Sequence, residues 1–375
     1  MSSPLPSATR WAIVGAGFAG AATAWALARR GLGPGLILEQ EATWGAHASG
    51  KNAALAKIAE GDELICRLAM RSLRTLQAFD GGTGELVRST GGLTLAHAEL
   101  AQELEAQRDT LRRGGLPGVM MTSAEVGASF PPLAGLDFDV GLWCPVEGVV
   151  DVHALLTRYL QEAKSSGFRL HTSTAVRDLL VEGGRVVGVA TDRGDVRAEL
   201  VVDASGAWAG RLGRGASPLP FRALRRHLFV SDRIGADLTR LPFTWVEDAG
   251  FYFRPEGDGL LLSPCDETPS EPCSPSTDLA AAELLAEKLA RHAPAFADLA
   301  IRRAWACLRT FAPDRRPAIG FDAERPGLFH VAALGGFGMT TSAAVGELAA
   351  ALIAGSAVDW IDADDVAPGR LTARV

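Results

Sequence analysis

Apolar residues fill Trp11-Ala-Ile-Val14, stop at Gly15, resume as a nearly unbroken stretch from Phe18 to Leu27, and return at Leu36-Ile-Leu38. Short apolar runs bounded by glycine read as buried strands and the longer one as a buried helix, so the opening predicts strand, turn, helix, strand. A second α/β block starts at Asp151, a good N-cap, with Val152, Leu155, Leu156, Tyr159 and Leu160 at helical spacing up to Gly167. Three alternating segments follow, Ala175 to Val181, Val186 to Thr191 and the run into Leu200-Val-Val-Asp203, separated by Gly183-Gly184 and Asp192-Arg193-Gly194. They predict a β-meander inserted into a parallel sheet. From Leu224 to Ser263 the pattern is one of short strands (Leu228 to Val230, Phe243 to Val246, Phe251 to Arg254, Leu260 to Leu262), which predicts a separate antiparallel sheet. The stretch from Pro264 to Thr277, rich in Pro, Ser, Glu and Asp, reads as a surface loop. A helix from Leu279 to His292 and a strand from Arg303 to Arg309 come next. The chain closes with a strand Leu328 to Ala333, a glycine turn Gly335-Gly-Phe-Gly338, and a helix from about Thr341 to Ala354.

With 375 residues the chain is long enough for two domains, since single cores stop growing at roughly 250–300 residues. The net charge of -7, with no long basic run, argues against nucleic acid as the main partner. Five cysteines without metal-ligand spacing indicate neither a disulfide framework nor a metal site and suit a reducing cytoplasm. The first residues lack the basic and apolar regions of a secretory signal. The apolar C-terminal stretch is interrupted by Glu347, so it reads as a packed helix and not an integral membrane segment. A cytoplasmic location is the expectation.

The chemistry begins in the first turn. Gly15 turns the chain, Gly17 admits a pyrophosphate close to the backbone, and Gly20 lets the helix pack on the sheet, with its N-terminus facing the phosphates. Glu39, ending the second strand, is placed to accept hydrogen bonds from a ribose, which favours FAD or NAD over NADP. Asp203-Ala-Ser-Gly-Ala-Trp208 ends a buried strand where α/β sheets bind ligands. The turn at Gly335 aims another helix N-terminus either at a redox ring that becomes anionic or at nothing beyond a tight β–α connection.

Taken together, the opening fingerprint, Ala48-Ser-Gly-Lys-Asn-Ala53, Asp203-Ala-Ser-Gly-Ala-Trp208, Trp305-Ala-Cys-Leu-Arg309 and Gly335-Gly-Phe-Gly338 resemble the D-amino-acid oxidase family of flavoenzymes, especially its glycine oxidase, sarcosine oxidase and D-arginine dehydrogenase members. The resemblance implies an α/β fold: a Rossmann-like FAD-binding domain (1–85, 145–220 and 310–375) with a substrate domain (86–144 and 221–309) built on a mixed or antiparallel sheet. It implies oxidation of the C–N bond of an amino acid or secondary amine, by hydride transfer to flavin N5, to an imine that hydrolyses. The electrons pass to O2 or to a quinone-like acceptor. FAD contacts are implied at Gly15, Gly17, Phe18, Ala19, Gly20, Glu39 and Gln40, and at His47, Ser49, Gly50, Lys51, Asn52 and Ala54 of a loop crossing the flavin. Further contacts are implied at Val176, Ala204, Ser205, Gly206, Trp208, Cys307, Arg309, Gly335, Gly336, Phe337, Gly338, Met339 and Thr340.

On the substrate side the resemblance implies that Arg309 and Tyr252 hold a carboxylate and that Arg226 is a further pocket arginine. Gly336 contacts the amine or the ring through its backbone, and His47 is either catalytic or a plain hydrogen bonder. A bidentate arginine fork is the natural clamp for orienting an amino acid. The chain departs from D-arginine dehydrogenase at Leu55 and Glu60, where that enzyme has His and Tyr, which argues against arginine-like specificity. Glu60 then pairs either with a substrate cation or with Lys57 as a solvated loop pair. Cys307 stands in the column of the flavin-linking cysteine of sarcosine oxidase. Buried cysteines are usually inert, so non-covalent FAD is the favoured reading and a Cys307 bond the alternative. Two other functions fit the same family: a glycine-oxidase-like tRNA-modifying enzyme, which the acidity disfavours, and a flavin-binding subunit of a hetero-oligomeric dehydrogenase.

Overall fold

A computed structural model describes residues 4–212 and 219–372. The opening run forms the strand Ala8–Val14, the helix Phe18–Arg29 and the strand Leu36–Leu38. Ala8–Val14 lies between Leu36–Leu38 and Gly194–Asp203, parallel to both, and Arg169–His171 extends the sheet. The expected meander is Val176–Glu182, Arg185–Thr191 and Gly194–Asp203. Its last strand has two uses. The first half pairs antiparallel with Arg185–Thr191, and the second half, Val201 to Asp203, pairs parallel with Leu328–Ala332. A ten-residue strand therefore joins the hairpin to the buried parallel centre, and both cofactor-type turns end at neighbouring strand tips.

Three helices cover one face of this sheet. Asp151 caps Val152–Ser165 by accepting from Ala154 N, and the C-terminal helix runs Ser342–Ile353. Trp25 packs on Tyr159 with ring centroids 5.0 Å apart, and the Tyr159 hydroxyl meets Ser342 Oγ at 3.0 Å. Tyr159, one of only two tyrosines, thus ties the three helices together inside the main core. Among the described residues no helix is long and apolar enough to cross a membrane.

The second sheet has nine strands and is mixed: Phe243–Val246 pairs parallel with Gly92–Ala96, while its other pairings are antiparallel. Two strands expected to be short run across its full width, Arg222–Ser231 and Ile301–Phe311, paired so that Leu224 faces Arg309 and Arg226 faces Cys307. Alternation along these strands separates two faces. Phe229, Phe251, Phe253 and Leu262 pack with Leu285 and Leu289 of the helix Leu279–His292, while Leu228, Tyr252, Leu261 and Cys307 cluster on the opposite face.

The segment from Pro264 to Thr277 is mostly exposed, as expected of a surface loop, but it is anchored at its start. Thr268–Pro269 adds a short strand to the sheet, and Asp266 is buried. Its first two acids have partners: Asp266 Oδ2 lies 2.7 Å from His227 Nδ1, Asp266 Oδ1 accepts from His227 N, and Glu267 meets Arg226.

Candidate active site

Two cavities lie end to end between the sheets. One encloses about 260 Å³ and the other about 300 Å³, and both are walled by Phe18, Ala48, Ser49, Cys307, Gly335 and Gly338. The first sits at the tips of the parallel strands. Gly15 has φ +103°, and a Cβ there would lie 2.5 Å from the Ala204 carbonyl, so only glycine makes this turn beside Asp203-Ala-Ser. The helix Phe18–Arg29 has neither an acidic residue in its first turn nor a side-chain cap from Gly17, which leaves its N-terminal dipole open to an anion. Ser49 Oγ accepts from Phe18 N at 3.0 Å.

Glu39 is 7% exposed and is fixed by two backbone N–H donors, Ala16 at 2.9 Å and Glu41 at 3.0 Å. Its remaining lone pairs line the cavity and suit the hydroxyls of a ribose. Ala19, Gln40, Lys51, Val176, Gly206 and Trp208 line the same cavity, as do Ala204 and Ser205. Asp203 holds that turn: it accepts from Ser205 N and from Gly210 N, and His330 lies beneath it, 3.5 Å from Asp203 and 2.8 Å from Asp322. Burial lowers the pKa of His330, but the two carboxylates outweigh it and raise the pKa above the ordinary histidine value.

The loop from Trp44 to Glu60 is pinned at each turn. Asn52 donates to Ser49 O and accepts from Ala54 N, Trp305 Nε1 donates to Lys51 O, Arg254 Nε donates to Ala53 O, and Thr340 Oγ1 donates to Leu55 O. Ala54 adopts φ 62° under these constraints. His47 lines the first cavity, 2.9 Å from Glu41 and against Trp208, outside the second cavity. Gly20 and Gly50 line neither cavity; Gly20 packs behind the turn against Gly15 and Ile13.

The second cavity brings together Arg226, Tyr252, Arg309 and the turn Gly335 to Thr340. Arg309 Nη2 donates to the Tyr252 hydroxyl at 3.3 Å, and Tyr252, 1% exposed, stacks on Trp245 at 4.9 Å and 13°. Among the described residues no carboxylate pairs with Arg309. Arg226 Nε donates to Asp266 O and Nη2 to Glu267, while Nη1 is buried without a partner. Gly336 lies against the clamp: a Cβ there would fall 2.8 Å from Arg309 Nη1.

Glu60 pairs with Lys57 at 2.7 Å; Lys57 is buried and Glu60 half-buried, so the pair is not a solvated one. Burial works against the Lys57 ammonium, yet Glu60, Glu247 and Glu147 hold its pKa above the usual lysine value. Glu147 also accepts from Ile58 N and Ala59 N, which fixes the backbone beside Lys57; burial raises its own pKa to about 7. Burial also pushes the Cys307 thiol up, against the pull of Arg309 and Arg226. Trp245, Cys265, Glu267 and Arg315 complete the wall and were not singled out by sequence. Trp245 is read only through its register opposite Tyr252, which a sequence does not contain.

The model of the family described as FAD dependent oxidoreductase matches residues 10–352. Mitochondrial sarcosine dehydrogenase of Mus musculus is 26% identical over 370 residues, covering 92% of this chain and 40% of the relative. Glycine oxidase of Pseudomonas aeruginosa is 34% identical over 163 residues, 41% of this chain and 42% of that protein. The chain therefore spans well under half of sarcosine dehydrogenase. Among solved structures, glycine oxidase from Geobacillus kaustophilus matches with a TM-score of 0.82 at 25% identity, covering 99% of this chain and 100% of that one. L-proline dehydrogenase from P. horikoshii matches at 0.86 with 23% identity over 98% and 99%, a likeness of fold.

Proposed function

The chain belongs to the D-amino-acid oxidase family of FAD-dependent oxidoreductases, and we propose that it holds FAD along the two joined cavities and oxidises the C–N bond of a carboxylate-bearing amine. The observation that carries this reading is Arg309, a guanidinium without an acidic partner among the described residues, beside the Tyr252 hydroxyl on the wall next to the Gly335–Thr340 turn. An unpaired charge in such a cavity is costly unless a ligand supplies the counter-ion.

The residues present fit FAD. Glu39 suits the adenosine ribose, the open N-terminus of Phe18–Arg29 suits the pyrophosphate, and the uncapped N-terminus of Ser342–Ile353, with no acid in its first turn, suits a ring that gains negative charge. Six shared wall residues make the two cavities a continuous path for an extended cofactor. Bound FAD supplies the two-electron acceptor. The cofactor domain then comprises 1–85, 145–220 and 310–375, with the substrate domain in 86–144 and 221–309.

Arg309 and Tyr252 fix the substrate carboxylate, so the reacting carbon is held in one orientation. Trp245, Leu55, Phe337 and Met339 keep water from the bound amine. Glu60 and Glu267, the only carboxylates on the described wall, are both ion-paired, so the amine proton passes to water. The raised Cys307 pKa disfavours the thiolate that a bond to the cofactor needs, and we assign FAD as non-covalent. The test is turnover of a panel of amino acids and N-alkyl amino acids by the purified holoprotein, with O2 and separately with a quinone-like dye. Imine-derived carbonyl product is expected with at least one panel member; none with either acceptor refutes the proposal.

A further inference from the structure

The substrate-side cavity holds more positive charge than its own acids neutralise. Lys57, Arg226, Arg309 and Arg315 line it against Glu60 and Glu267. At one end Lys57 pairs with Glu60, and Glu147 and Glu247 lie close by, so that cation is not free for an anionic ligand.

At the other end the balance stays open. Glu267 Oε1 is shared between Arg226 and Arg315, so one carboxylate serves two guanidinium groups. The Asp266 carboxylate is taken up by His227, through Nδ1 and the backbone N–H, and offers Arg226 only its carbonyl. Arg226 is 4% exposed, yet its Nη1 has no partner. A buried charged donor without an acceptor costs stability unless a ligand completes it. Arg309 is a separate unpaired cation on the neighbouring strand.

Register sets the spacing of the two. Arg226 pairs with Cys307, and Arg309 lies two residues further along on the same face, so the arginines are diagonal neighbours. That places them about 7–8 Å apart at the backbone, a separation matched to two anionic groups on a short skeleton.

We propose that the site takes an amine bearing two acidic groups, one carboxylate held by Arg309 and Tyr252 and a second that accepts from Arg226 Nη1, with Arg315 reinforcing the outer side through Glu267. This rests on the proposed amine-oxidising function. It adds to that function a dicarboxylic class of substrate, recognised by charge and not by bulk.

The test compares acid and amide forms of the same skeleton in both enantiomers, aspartate with asparagine and glutamate with glutamine, and iminodiacetate with sarcosine. A charge-assisted hydrogen bond predicts kcat/KM about 10- to 100-fold higher for the diacid of the preferred pair. In Arg226→Gln that ratio collapses towards one, and in Arg315→Gln, whose side chain is mostly exposed, it falls partway. Independent of turnover, calorimetric titration of the holoprotein with succinate or malonate is expected to show tighter binding than with propionate or acetate, and Arg226→Gln to remove the difference.

Equal or better use of the mono-acids overturns the inference and leaves amine oxidation standing. A diacid preference that persists in Arg226→Gln overturns the assignment to Arg226. Selective dicarboxylate binding without oxidation of any amine supports the two-anion site while refuting the function on which it was built.

Discussion

Gly336→Ala separates the geometry of the clamp from the stability of the fold. The added Cβ would lie 2.8 Å from Arg309 Nη1 and 3.4 Å from its Cζ. Gly336 is not among the residues with positive φ, so alanine meets no backbone strain. Contact at ordinary van der Waals distance requires the guanidinium to retreat by about 0.7 Å, which a long side chain achieves without unfolding anything. The retreat draws Nη1 out of line with a bound carboxylate and loses one charge-assisted hydrogen bond, about 1.5–3 kcal/mol. That corresponds to a fall in kcat/KM of about 10- to 100-fold. Steady-state kinetics on the preferred amine, together with a thermal melt, measure both sides. An unchanged kcat/KM refutes the placement of Gly336 against the clamp. A collapse of Tm in parallel with activity also refutes it, because the steric conflict is confined to a flexible tip.

Tyr252→Phe keeps the stack on Trp245 but removes the hydroxyl 3.3 Å from Arg309, so kcat/KM is expected to fall about tenfold with flavin content and Tm unchanged. Glu39→Gln replaces a charged acceptor at the ribose end; the Kd for FAD in reconstitution of apoprotein is expected to rise about tenfold, and equal affinity would remove Glu39 from the cofactor site. Lys57→Met leaves Glu60 and Glu147 buried without their cation, and denaturant unfolding is expected to show a loss of about 3–5 kcal/mol. His330 has a folded pKa raised by Asp203 and Asp322, so its contribution is fully present below the unfolded histidine value of about 6.5 and is lost as pH rises through the folded pKa. Asp203 and Asp322 are held low and add stability that is lost as pH falls through their folded values; burial opposes this in both, outweighed chiefly by His330 and, for Asp322, by Arg325 as well. Unfolding free energy as a function of pH is expected to fall on the alkaline side in the wild type and to flatten there in His330→Asn.

The proposed cofactor half of the site is legible in the sequence because its residues are local. Gly15, Glu39 and the Asp203-Ala-Ser turn lie at the tips of strands that announce themselves as apolar runs, and each ligand-facing group sits within a few residues of its strand. The substrate half is built across strands. Trp245 reaches Tyr252, and Arg226 lies diagonal to Arg309, only through a register fixed by the whole nine-stranded sheet. Glu267 was hidden by composition: the Pro-, Ser- and acid-rich stretch is mostly solvated, yet Asp266 and Glu267 at its start pair with His227 and Arg226. The fate of Glu60 was equally unreadable, since the burial of a Lys57–Glu60 pair depends on Glu147, distant in sequence, clamping the backbone between them.

The central claim is that the second cavity presents a carboxylate-bearing amine to FAD through Arg309. Anaerobic mixing of the holoprotein with a reactive amino acid, followed by visible flavin absorbance, tests it most directly. Bleaching is predicted with the amino acid, none with the same amine lacking its carboxylate, and at least a hundredfold slower bleaching in Arg309→Met, about 3 kcal/mol of lost orientation. Equal bleaching by the decarboxylated amine, or wild-type rates in Arg309→Met, would contradict the account.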